Sequence, residues 1–198
     1  MQLTNLKVYD LDQSILASGF PMSINQIDTE ILPKTSDFER TYKLANSKIG
    51  SGHNCFLKGI RISLNVQASQ NWWIQMMRYN YVDIVSSQSK MHRIVQSISV
   101  NNEHCFDKHV DQKMINRILE MIDEYITCTK TIERDEMFLN ILYSCPFGYM
   151  LNARISTNYL QLKTIYNQRR THRLPEWIQF CQYIEMLPMA AEFITQGR

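Results

Sequence analysis

Two stretches of this chain gather side chains that hold anions and base edges. The first runs from His53 to Arg93: a histidine after Gly52, then Arg78-Tyr79-Asn80, then Ser86-Ser87-Gln88-Ser89-Lys90-Met91-His92-Arg93. Hydroxyls and amides can bind a phosphate or a base edge, and arginine binds phosphate through two donors at once. Taken alone, the same run also reads as an ordinary polar connection. The second stretch holds Asn152-Ala153-Arg154, then Lys163, Arg169, Arg170, His172 and Arg173 among Asn158, Tyr159, Tyr166, Asn167 and Gln168. One account is a helix C-terminus that favours cations through its dipole, with the polar face in solvent. The other is an anion site, where arginine and tyrosine hold a phosphate and stack on a base. Both stay open at this level. A third grouping, His104-Cys105 with His109, lacks a fourth ligand nearby, so no metal site is expected.

The elements that must position these groups follow from periodicity and punctuation. Leu3 to Leu11 has the short apolar character of a strand. Ser36 to Lys48 reads as a helix with Ser36 as N-cap, broken by Gly50-Ser51-Gly52. From Lys58 to Val66 the residues alternate, with Ile60, Ile62, Leu64 and Val66 on one side and Arg61, Ser63 and Asn65 on the other. That period of two marks a half-buried strand. Ser69 caps a helix reaching to Tyr81, whose Trp72, Trp73, Met76 and Met77 suit a core or a subunit interface. Asp111 to Thr127 is the clearest amphipathic helix, and another spans Glu133 to Tyr143 before the turn at Pro146-Phe147-Gly148. A strand is expected over Tyr149 to Ile155, a helix over Ser156 to Arg169, and a last helix opening at Pro175. The total is a helix-rich α+β protein.

Composition narrows the function classes. With 198 residues, 44% hydrophobic and 20% charged, the chain suits a single folded domain over residues 1–198. No apolar run approaches the roughly 20 residues that span a bilayer, and the first residues lack a secretory pattern. Cys55, Cys105, Cys128, Cys145 and Cys181 are odd in number and scattered without C-x-x-C spacing, which argues against a disulfide framework. A cytoplasmic protein is expected. A net charge of +2 is too small for a general nucleic-acid binder.

In the order of its motifs the chain resembles the flavin-dependent thymidylate synthases. That family has a histidine at the start of a strand, a helix leading to Arg-His-Arg, then a serine and Arg-Tyr. Here His53 and Arg78 stand 25 positions apart (78 − 53) around the same strand-then-helix pattern, and Ser89 or its neighbours take the serine's place. The family's Asn-Ala-Arg matches Asn152-Ala153-Arg154, followed by a helix ending in Arg169-Arg170. The Arg-His-Arg itself reads Arg78-Tyr79-Asn80, and its Arg-Tyr falls near Met91-His92, unless Arg93 takes that role.

The resemblance implies a thymidylate synthase-like α+β fold, with a small central sheet, assembled as a homotetramer. His53, Arg78, Tyr79 and Asn80 would hold FAD, with Tyr79 stacking on a ring of the cofactor. Ser86, Ser87, Gln88, Ser89, Arg93 and Arg154 would hold a pyrimidine nucleotide, and Arg169 and Arg170 would serve catalysis. The implied reaction moves a one-carbon unit from methylenetetrahydrofolate to C5 of dUMP or a related nucleotide, with hydrides from NADPH passing through the flavin. The alternative is a non-catalytic descendant that kept the fold and a nucleotide pocket and lost flavin chemistry.

Overall fold

The structure, a computed structural model, describes residues 1–24, 32–48 and 50–196. Its centre is a four-stranded antiparallel sheet of β1 (Gln2–Tyr9), β2 (Arg61–Ser69), β3 (Asp83–Ser87) and β4 (Met150–Asn158), in the order β1-β2-β4-β3. The helices are α1 (Leu11–Ala17), α2 (Thr35–Ala45), α3 (Gln70–Met76), α4 (Lys90–Cys105), α5 (Gln112–Thr127), α6 (Thr131–Ser144), α7 (Tyr159–Arg169) and α8 (Pro175–Glu185). Among the described residues no helix is long and apolar enough to cross a membrane.

The alternation in β2 and β4 sorts side chains by face. Ile62, Leu64, Val66 and Ala68 on β2 and Ala153 and Ile155 on β4 are buried, whereas Ser63, Asn65, Gln67, Arg154 and Ser156 are not. Leu3, Leu6 and Val8 of β1 cannot share one face of a regular strand, because their spacing breaks the period of two. A bulge resolves this. The register shifts between Thr4 and Lys7, and Asn5 takes φ 52, a left-handed conformation that asparagine tolerates.

The buried face packs against α3, α7 and α8. Trp72 lies 5.0 Å from Trp177 and 5.4 Å from Phe180, ring centre to ring centre. With Tyr159, Leu162, Ile165 and Phe193 these rings form the main core. Trp72, Trp73 and Met76 are therefore core residues, while Met77 is exposed. Between β3 and β4 the chain makes a helical excursion, α4 to α6, with its own apolar cluster of Ile94, Ile98, Phe106, Ile118, Ile122, Ile141 and Tyr149. A bridge between Phe106 and Tyr149 closes the base of that excursion.

Several expected boundaries move. The chain leaves β1 at Tyr9 and turns into α1, an element the sequence reading did not contain. In α2 the start lies one residue before Ser36, because the Asp37 carboxylate reaches back to accept from the Lys34 N–H at 2.8 Å. Ser69 caps α3 as expected, accepting from the Trp72 N–H at 3.4 Å, but the helix stops at Met76, short of Tyr81. β4 runs on to Asn158, because Ser156 and Thr157 still pair with Ser63 and Ile62. Asn158 then caps α7 by accepting from the Gln161 N–H at 2.9 Å, so that helix begins at Tyr159 rather than Ser156. The largest correction concerns Ser86 to Arg93. The polar run expected as a loop is strand β3 followed by α4, with Ser89 as its N-cap, accepting from the His92 N–H at 3.3 Å.

Candidate functional site: a polar groove across the sheet

The face of the sheet opposite the core carries side chains of one chemical kind. Reading the register across β1, β2, β4 and β3, Thr4 faces Asn65, Asn65 faces Arg154, and Arg154 faces Ser86. One rung along, Gln2 faces Gln67 and Gln67 faces Asn152. Gln88 completes this second rung, donating its backbone N–H to the Asn152 carbonyl at 2.9 Å. These residues, with Ser87 and Ala153, line a groove of about 580 Å³, within the size range of small-ligand sites.

Its lining contains amides, hydroxyls and a single cation, Arg154, with no carboxylate. Arg154 is half-buried, and its Nη1 donates to Asn65 Oδ1 at 2.9 Å. The adjoining rung of Lys7, Ser63, Ser156 and Asp83 differs: Asp83 pairs with Arg61 at 3.7 Å, and Arg61 also donates to Ser156 Oγ at 3.3 Å. The Asp83 carboxylate there is already paired within the protein, while Lys7 is exposed. Arg154 has no carboxylate partner among the described residues, so the groove offers an anion one fork of donors within a hydrogen-bonding surround.

Of the residues expected to bind substrate, the fold brings Ser86, Ser87, Gln88 and Arg154 together. Ser89 lies beside them, its Oγ accepting the His92 N–H in the α4 cap. Arg93 is one turn further along α4, exposed and bonded to Gln96. Sequence reasoning missed Gln2, Thr4, Asn65 and Gln67 as groove residues and named Asn152 only as part of the Asn-Ala-Arg motif. The available signal was the polar parity of β2, where Ser63, Asn65 and Gln67 are polar yet uncharged opposite a fully apolar parity.

The residues expected around the cofactor do not converge on the groove. His53 opens a short 3-10 turn, His53–Lys58, well before β2 rather than at its first residue, and its side chain is exposed. Arg78 and Asn80 are exposed beyond the end of α3. Tyr79 points inward, with 8% of its surface accessible. Its hydroxyl donates to Gln168 Oε1 at 3.0 Å and accepts from Arg169 Nε at 2.7 Å.

Arg169 belongs to that inner knot. It donates Nη1 to Gln75 Oε1 at 3.2 Å, and its guanidinium lies 4.8 Å from the Trp177 ring centre and 5.6 Å from that of Tyr79. Gln75 Oε1 also accepts from Trp177 Nε1 at 2.9 Å. Arg170 is exposed, its guanidinium 6.0 Å from the Tyr166 ring centre. Nearby His172 is held below the usual histidine range by burial and by the charge of Arg169. Lys163, the other cation of this stretch, is buried and donates to the Ala45 and Phe193 carbonyls at 2.7 and 3.2 Å and to Asn46 Oδ1 at 3.2 Å. The expected cluster on α7 is thus dispersed: Lys163 and Arg169 serve the interior, and Arg170 faces solvent.

No protein-family model matches the chain, and no curated protein matches it in sequence. Solved structures do match in shape. One crystal structure of the flavin-dependent thymidylate synthase ThyX from Helicobacter pylori, complexed with FAD and dUMP, superposes with a TM-score of 0.73 at 12% identity, over 99% of this chain and 98% of that one. A second structure of the same enzyme with FAD and dUMP gives 0.68 at 13% identity, with the same coverage. The chain has the thymidylate synthase-like fold of the flavin-dependent class.

Proposed function

We propose that the chain binds a pyrimidine nucleoside monophosphate, dUMP or a related nucleotide, in the groove, with Arg154 and Ser86 at the phosphate. The observation that carries this reading is the pair of cross-strand rungs, in which one uncompensated arginine stands among hydroxyls and amides on a face the core does not use. ThyX, whose fold this chain shares across its length, was crystallised with dUMP.

The residues present do not fit a flavin held as the family motif would hold it. Tyr79 is packed inward among Trp177, Arg169 and Gln168, so its ring has no open face for stacking. Asn80 supplies no charge for a pyrophosphate. The geometry therefore favours a nucleotide-binding protein that kept the fold without the flavin chemistry. A second reading, one-carbon transfer to C5 of the nucleotide with FAD, NADPH and methylenetetrahydrofolate, is favoured by Arg78 and His53. Both are exposed, and neither side chain has a hydrogen bond among the described residues. Under that reading a homotetramer would supply the remaining contacts from neighbouring subunits.

Calorimetry with dUMP tests the site. Arg154→Ala should weaken binding by roughly 1.5–3 kcal/mol, the scale of a charged hydrogen bond. An unchanged affinity, or no binding to the unaltered protein, removes the assignment. Titration of FAD into nucleotide-saturated protein separates the two readings. Fluorescence quenching that disappears on Arg78→Ala supports the enzyme, and its absence at high micromolar FAD supports the nucleotide-binding protein.

A further inference from the structure

The orientation of an amide side chain is ordinarily free to flip, but in this groove one is fixed by its partner. Asn152 donates its backbone N–H to Gln88 Oε1 at 3.0 Å. A backbone N–H can only donate, so the atom it meets must be the carbonyl oxygen of Gln88. The remaining end of Gln88 is then an NH2 group. It has no hydrogen-bond partner among the described residues, and it lies in a residue lining the groove. Gln88 is held doubly, since its own N–H donates to the Asn152 carbonyl at 2.9 Å. Turning the amide over would set NH2 against N–H and forfeit that bond.

Asn65 is fixed in the same way on the other rung. Its Oδ1 accepts from Arg154 Nη1 at 2.9 Å, so its NH2 also remains as a donor. The two rungs are two residues apart along β4, about 7 Å at the rise of a strand. A phosphate on Arg154 and Ser86 therefore has the Asn65 donor beside it, while the base of the same nucleotide reaches the rung of Gln67, Asn152 and Gln88. The side-chain amides of Gln67 and Asn152 have no partner among the described residues, so either can turn to present a donor or an acceptor. Gln88 cannot. It offers the base a donor only.

We propose that Gln88 is the specificity-determining residue of the groove, selecting a pyrimidine with an oxygen at position 4 over one with an amino group there. This rests on the nucleotide reading above. A uracil or thymine O4 accepts from the Gln88 NH2, whereas the N4 amino group of cytosine is itself a donor and meets it donor to donor. Asn65 acts on the phosphate, which both nucleotide classes share, and so does not select between them.

The test is calorimetric titration with dUMP and with dCMP on the unaltered protein and three variants. The unaltered protein should prefer dUMP by at least about tenfold, the ratio that one hydrogen bond's worth of discrimination produces. Gln88→Glu keeps an oxygen for the Asn152 N–H and replaces the free donor with an acceptor, so the dUMP to dCMP ratio should fall and invert. The added charge acts on both phosphates alike and cancels in the ratio. Gln88→Met, which adds no charge and removes both the donor to O4 and its conflict with the cytosine amino group, should bring the ratio near one. Asn65→Asp should weaken both nucleotides and leave the ratio where it was. Equal binding of dUMP and dCMP by the unaltered protein overturns the selection while leaving the site intact. A ratio unmoved by both Gln88 variants overturns the role of Gln88. Binding of neither nucleotide overturns the site itself, and the proposal falls with it.

Discussion

Arg154 and Arg169 sit on consecutive elements, β4 and α7, and each is surrounded by amides and hydroxyls, yet the fold uses them in opposite ways. Arg154 spends one N–H on Asn65 and lies in an open groove whose other side chains face outward. Arg169 spends Nε on Tyr79 and Nη1 on Gln75 and lies against two aromatic rings. Its neighbours bond to one another as well, Tyr79 to Gln168 and Trp177 to Gln75. Residue type alone therefore does not make an anion site. What matters is how many donors are committed inside the protein and how open the rest are: Arg169 spends two of its five N–H groups and lies against two rings, whereas Arg154 spends one and faces the groove.

The contrast can be broken by substitution, and the largest effect is expected on the α7 side. Lys163→Met leaves the Ala45 and Phe193 carbonyls without their donor in a buried setting. It should cost about 2–4 kcal/mol of stability in urea denaturation. A loss under about 0.5 kcal/mol would mean those carbonyls are hydrated and Lys163 is not an interior clamp.

Next in size is Arg169→Ala, which should cost about 2 kcal/mol of stability and leave dUMP affinity nearly unchanged. The reverse outcome, a stable protein with binding lost, would move the phosphate site from β4 to α7. Arg154→Ala, by contrast, should change stability by no more than about 0.5 kcal/mol, as expected for a side chain outside the packed core.

The smallest and most gradual effect is alkaline. Burial pushes the Cys145 thiol up to about 11, and the Cys181 thiol and Tyr149 hydroxyl up to about 12. In each case the folded chain keeps a proton that the unfolded chain releases nearer the ordinary values of 9.0 and 10.0. Their stabilisation is complete below those ordinary values and is lost as pH rises through the folded ones. Lys163, held low by burial, works with the opposite sign as pH approaches its ordinary 10.5. Three acids outweigh one base, so the urea midpoint should fall between about pH 8 and about pH 10.5. A flat midpoint would mean that these groups titrate as exposed ones do, and a rising one that Lys163 outweighs the acids. None of the four lies in the groove, so dUMP binding should persist until the fold itself is lost.

Much of this architecture is legible in the chain. The period of two in β2 separates Ile62, Leu64 and Val66 from Ser63 and Asn65, and the faces follow directly. The helical spacing of Ile115, Ile118 and Ile122 likewise places α5, with Ile118 and Ile122 buried. Asn152 and Arg154 alternate with Ala153 and Ile155, so their outward placement is also local information. Strand β3 is not legible, because all five of its residues are exposed and an edge strand with no buried parity shows no alternation.

The cations of α7 are unreadable for a related reason. Tyr159, Gln161, Leu162, Lys163, Ile165 and Tyr166 are all buried, so the helix is enclosed on several sides and has no single polar face that would mark Lys163 as an interior residue. The sequence by itself determined which side of each alternating strand is polar, since backbone pleating assigns successive residues to opposite faces. Only the tertiary structure decided that β4 lies between β2 and β3. That strand order joins residues as distant as Thr4, Asn65, Ser86 and Arg154 into one rung, through backbone hydrogen bonds that no local pattern encodes.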